Sequence, residues 1–132
     1  MLVTRETTED RISRGRRIYA RNLGIPEAEA ETRMSALAGH EFVREAYLAA
    51  GGTSWSSPEL SDRDRALAVV AALVAQHVVD ERLDPYLALA RGAGVTEDGL
   101  DALMVLLSAY LGQPATSRGA AAVHRTRSAR DD

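Results

Sequence analysis

His77 is the side chain in this sequence best suited to moving a proton. It follows Gln76 where a long apolar segment ends, and imidazole is the side chain whose ordinary ionisation lies near neutral pH. Further along, Tyr86 supplies a phenol, which can donate a proton or hydrogen-bond a developing enolate but is a poor base. Arg63 and Arg65 carry guanidinium groups whose paired donors match a substrate carboxylate. They stand two apart in a helix's first turn, so they point in different directions and do not share one role. Arg65 is the one expected to be buried. Trp55, Gln76, Tyr110 and Gln113 complete the set as substrate-binding candidates. Each also has a structural reading: His77 as a helix end bonded to a carbonyl, Tyr86 as an aromatic filler, and Trp55 as core or interface packing. The arginines can equally pair with Asp62, Asp64 or Glu59, and Tyr110 and Gln113 can simply shape a turn.

Other chemistry is closed to this chain by composition. It has no cysteine, and all 16 of its basic residues are arginine. Disulfides, thiolate metal ligands, CxxC redox chemistry and a cysteine nucleophile are therefore excluded. So are a Schiff base on a lysine amine and a P-loop lysine. His40 lies beside Glu41 and His124 falls in the last helix, neither with a second ligand-type residue at metal-binding spacing. No HxxxH, glycine-rich phosphate loop or GxSxG motif is present. The expectation is an activity without metal or cofactor.

The elements that position these residues read as helices, since alanine is abundant and β-branched residues rarely alternate with polar ones. Thr7 or Thr8 caps a first helix that stops at Leu23-Gly24. Its apolar positions are sparse, which places it on the surface or against a neighbouring subunit. Glu27 to Ala50 is helical with a break near Gly39, and Gly51-Gly52 are expected to end it by adopting the left-handed conformation. After a non-helical stretch from Thr53 to Leu60, Ser61 or Asp62 caps the most apolar helix. Its run from Ala66 to Ala75 has no polar face and is expected to be covered on all sides. Pro85 suits the start of a short helix ending near Gly92 to Gly94. Thr96 caps the next, which carries Leu100, Leu103, Met104, Leu107 and Tyr110 at helical spacing. Pro114 opens a last helix, with fraying expected after Arg125. The sum is one all-α domain, residues 1–132, of about six helices.

Four short motifs in order carry a resemblance. Trp55, Pro58, Leu60, Arg63 and Arg65 form W-x-x-P-x-L-x-x-R-x-R. Gly94-Val95-Thr96 follows, and then Tyr110-Leu111-Gly112-Gln113-Pro114, a Y-x-G-x-P signature. Upstream stands Arg14-Gly15-Arg16-Arg17-Ile18-Tyr19 before Leu23-Gly24. Over roughly residues 14–124 the chain resembles the carboxymuconolactone decarboxylase family of the AhpD-like superfamily. The resemblance implies a protomer built around a helical hairpin, trimeric or hexameric assembly, and loss of carbon dioxide from a carboxylated muconolactone. The CxxC peroxidase branch is excluded by the missing cysteines. Against the family pattern, Tyr86 stands where a histidine is expected, and Gly99 and Ala102 where two glutamates are. The resemblance thus implies a decarboxylase-like scaffold with altered chemistry through an enolate, on a small aromatic or polyketide-like acid or enolisable ketone. A non-catalytic member that binds a small molecule or stabilises a partner is the alternative.

Charge and hydropathy bound the partners. The net charge is −3, yet residues 1–21 hold six arginines against three acids and residues 118–132 hold four against two. A basic helix at each end is a nucleic-acid signal, but Tyr19 is the only aromatic nearby and the total charge is negative. Solvated or subunit-contacting arginine faces are the expectation, with no nucleic acid. The first residues lack a long apolar stretch, so no signal peptide is expected, and the longest apolar run falls short of the ~20 residues that span a bilayer. A cytoplasmic homo-oligomer without membrane contact follows as the expectation.

Overall fold

A computed structural model describes the backbone of residues 5–131 and the side chains of residues 5–128. Among the described residues there are seven α-helices, one π-helical turn and no strand, so the fold is all-α. The chain divides into two compact units, Met1–Glu59 and Leu60–Asp132.

The first unit holds α1 (Thr8–Leu23), α2 (Glu27–Ala38), α3 (His40–Ala49) and the π-helical turn Ala50–Ser54. A reciprocal capping box starts α1: the Thr7 hydroxyl accepts from the Asp10 amide while the Asp10 carboxylate accepts from the Thr7 amide. Gly24, at φ 70°, ends it in the left-handed conformation. Gly39, at φ 85°, makes the expected break between α2 and α3. Ile12, Val43 and Tyr47 form a small buried core, with Tyr19, Met34 and Leu48 against it.

Gly51 and Gly52 differ from expectation, since neither takes a positive φ. Their lack of a side chain serves close approach instead. A Cβ on Gly51 would lie 1.9 Å from the Arg11 carbonyl oxygen, and one on Gly15 would lie 1.9 Å from that of Tyr47. The helix α1 therefore meets α3 and the π-helical turn backbone to backbone. One side of α1 thus packs within its own unit, while Asp10, Arg17 and Arg21 stay exposed, as expected of a surface helix. Small residues, rather than a wide apolar stripe, seat it within its own unit.

The second unit holds α4 (Asp62–Ala75), α5 (Asp84–Gly92), α6 (Glu97–Leu111) and α7 (Gln113–Asp131). Ser61 and Thr96 cap α4 and α6 through their hydroxyls. The chain reverses at Gly112 (φ 86°), and α6 and α7 run antiparallel, with Glu97 bonded to Arg127 and Met104 packed at Gly119. The core gathers Val70, Val74, Leu83, Leu87, Leu100 and Val123, all fully buried. Only one face of α4 joins it. Ala68, Ala72 and Ala75 are exposed, so the all-round coverage expected of this helix is not found. Methyl side chains lose little by facing water, and the bulky Val70 and Val74 are the ones turned inward. Helix α7 continues past Arg125 because Arg127 is anchored to Glu97 and Asp101.

Candidate functional site

The C-terminal end of α4 holds an unusual backbone conformation. Gln76 closes the helix, the His77 amide donates to the Val74 carbonyl, and the Val78 amide donates to that of Leu73 at 2.9 Å. This is the six-to-one closure of a Schellman cap, which places one residue in the left-handed region. That residue is His77, at φ 62°, the one non-glycine with positive φ among the described residues. A side chain there costs about 1–2 kcal/mol relative to the right-handed region. The His77 side chain is exposed, beside that of Gln76. Tyr86 lies in the first turn of α5, half-buried against the core of the second unit.

Arg65 is buried, at 7% exposure, and lies 3.7 Å from Asp62, whereas Arg63 is exposed. Both sit in the first turn of α4. At 1.5 Å per residue, Arg65 is about 18 Å from His77 along the axis. Of the three residues read as catalytic, Arg65 and His77 thus lie at opposite ends of α4, and Tyr86 belongs to α5. Trp55 belongs to the first unit, where the Arg21 guanidinium stands 5.9 Å over its ring. Tyr110 projects from α6 into solvent. Gln113 lines a groove of about 210 Å³ between α6 and α7, together with Asp101, Ser108 and Ser117.

Sequence reasoning missed a charged network along the α6–α7 seam. Glu97 accepts three hydrogen bonds from Arg91, whose guanidinium is only 5% exposed, and one from Arg127. Hydrogen bonds from Arg91, and then from Arg127, hold the Glu97 carboxyl down at about 2, against the opposing effect of desolvation. Arg127 also reaches Asp101, which lies 3.4 Å from the His124 imidazole. The sequence offers His124 no ligand-type partner at helical spacing on its own helix; its partner comes from the facing helix. The signal lay in the antiparallel register, where pairs such as 97 with 127 and 101 with 124 fall opposite one another. In the first unit Tyr47 donates to Glu31 at 2.6 Å, and Arg16 stands 3.6 Å from the same carboxylate. Burial, then Glu31, pushes the Tyr47 phenol up to about 12.

Among the described residues no group of three histidine, aspartate or glutamate side chains is arranged to hold a metal ion. Nor is any helix among them long and apolar enough to cross a membrane.

The all-α second unit carries Gly94-Val95-Thr96 before α6 and the Y-x-G-x-P turn between α6 and α7. The chain belongs to the carboxymuconolactone decarboxylase family, whose model matches residues 41–125. The match takes in α3 through most of α7 and leaves out α1 and α2, including the arginine-rich motif of the first helix. No match is found among curated proteins or among solved structures.

Proposed function

We propose that this chain is a lyase-type enzyme that handles a small acid or enolisable ketone through an enolate, with His77 as the proton carrier. The observation behind this reading is the left-handed backbone of His77. Glycine occupies such a cap at no steric cost, so an exposed imidazole kept there at an energetic penalty is a mark of function. In the step proposed, the bond from the α-carbon to the carboxylate breaks and its electron pair passes to the neighbouring carbonyl oxygen. Carbon dioxide leaves, protonated His77 returns a proton to carbon, and the Tyr86 phenol hydrogen-bonds the enolate oxygen. Gln76, adjacent on the same cap, orients the substrate. Arg65, at the far end of α4, takes no part within one protomer. Family membership supports decarboxylase-like or related chemistry. The substrate class belongs to the proposal.

The test uses carbon dioxide release from small β-keto acids and carboxylated lactones. His77→Ala is expected to lower turnover by a factor on the order of 10²–10⁴, the usual yield of general acid–base catalysis. Tyr86→Phe is expected to lower it less. His77→Gly separates proton transfer from capping: it should raise stability by about 1 kcal/mol by relieving the backbone while abolishing turnover. Turnover that survives in His77→Gly would sink the assignment. The rival, a non-catalytic ligand-binding member, is favoured by Tyr86, Gly99 and Ala102 at positions where the resemblance expects acid–base groups. It predicts saturable binding of the same compounds with no product from the wild-type protein.

A further inference from the structure

The arginine-rich first helix has no role in the chemistry above and lies outside the residues matched to the family. It nevertheless borders an open surface groove of about 370 Å³, lined by Arg5, Glu6, Asp10, Ser13, Arg14 and Arg17. That volume is in the range of small-molecule sites. Positions 10, 13, 14 and 17 share one face of α1, so that part of the lining is set by a helix, with Arg5 and Glu6 supplied by the segment before it.

The charges on this lining are unequally committed. Asp10 is held in the capping box with Thr7. Glu6 is paired with Arg14, and Arg14 also donates to the Gly51 carbonyl oxygen at 2.6 Å, which fixes its guanidinium. Both acids are therefore spent on the chain itself. Arg5 and Arg17 have no hydrogen-bond or ion-pair partner among the described residues, and the Ser13 hydroxyl lies between the helical positions of Asp10 and Arg17. Two uncommitted guanidinium groups bordering one groove, with a third held rigid beside them, are donor geometry for oxyanions.

We propose that this groove binds a small dianion, a phosphate or a compact dicarboxylate, gripped by Arg5 and Arg17 with Ser13 as an additional donor. The site is separate from His77 and independent of the reaction proposed there. Because α1 is packed backbone to backbone on α3, an occupied site also stabilises the first unit by mass action.

Isothermal titration of the full chain at low ionic strength, with inorganic phosphate in one arm and succinate in the other, tests it. One-to-one saturable binding of either is expected, and the arm that binds identifies the source chemistry. Arg17→Gln and Arg5→Gln should each weaken binding by about tenfold, the loss of a charge-assisted contact. Arg33→Gln, on α2 and already paired with Glu29, should leave it unchanged. Both tested arginines are exposed and unpartnered, so the circular dichroism of either variant should match wild type, and a fold defect in one leaves the other to decide. No saturable binding of either anion at tens of millimolar overturns the proposal. So does equal weakening by Arg33→Gln, which would mark a diffuse field, or binding of DNA without binding of either small anion.

Discussion

Glu97 concentrates four hydrogen bonds from two arginines, one of them nearly buried. Its carboxyl ionises at about 2 in the folded protein, against 4.5 ordinarily. A depressed carboxylate contributes stability that is complete above its unfolded value and is lost as pH falls through the folded one. Stability from this group is therefore expected to be constant at pH 6 and to decline between about 4.5 and 2. Glu97→Gln should flatten that part of the urea-midpoint profile and lower stability at pH 6 by on the order of 1–2 kcal/mol. The value is below that of a fully buried pair because Glu97 remains about a third open to solvent. A variant whose midpoint still falls with the wild-type slope in that window would show that another carboxylate carries the effect. Individual side chains were partly legible beforehand. Arg65 is buried as expected. The Asp101–His124 contact was not legible, because helical spacing within one segment says nothing about which residues a facing helix brings across.

Helix boundaries were legible where a cap or a left-handed glycine writes them. Thr7, Ser61 and Thr96 start helices, and Gly24, Gly39, Gly94 and Gly112 all take positive φ near their ends. Gly51 was misread because a glycine that frees the backbone and a glycine that makes room for a neighbour look identical in sequence. The two kinds separate on substitution. Gly15→Ala, whose Cβ would meet the Tyr47 backbone, is expected to destabilise the protein by about 3 kcal/mol or more, the upper end of overpacking. Gly92→Ala, at the end of α5 with nothing within 4 Å and no positive φ, should instead stabilise it by about 0.4–1 kcal/mol through the unfolded chain. Thermal or urea unfolding of the two variants checks both signs. If Gly15→Ala proves neutral, α1 does not approach α3 as closely as described.

At the scale of the whole molecule, the outer face of α6 stands out. Of the apolar stripe read from the sequence, Leu100 and Met104 are buried and Leu103 and Leu107 pack against the same core, whereas Tyr110 is 82% exposed. With Val105 at 72% and Leu106 at 56%, and the exposed Ala102 and Ala109 between them, α6 presents a second apolar stripe to solvent. Such a face marks an interaction surface. We propose a second copy of this chain as its occupant. Asp98 stands at one end of the stripe and Tyr110 at the other, neither with a partner among the described residues. In an antiparallel pairing of two α6 helices, each Tyr110 hydroxyl meets the Asp98 carboxylate of the other copy. Such a contact uses the same patch twice, as a two-fold interface does. It is therefore compatible with a dimer or a hexamer, but an isolated trimer cannot contain it. Light scattering behind size exclusion at micromolar concentration is expected to give an even-numbered oligomer. Leu106→Glu, which introduces a charge at the centre of the stripe, should halve the wild-type mass or reduce it to that of the monomer, with helicity unchanged. Asp98→Asn should weaken association less, since it removes the charge but not the apolar contact. A wild-type monomer, or an oligomer indifferent to Leu106→Glu, would remove α6 as the interface.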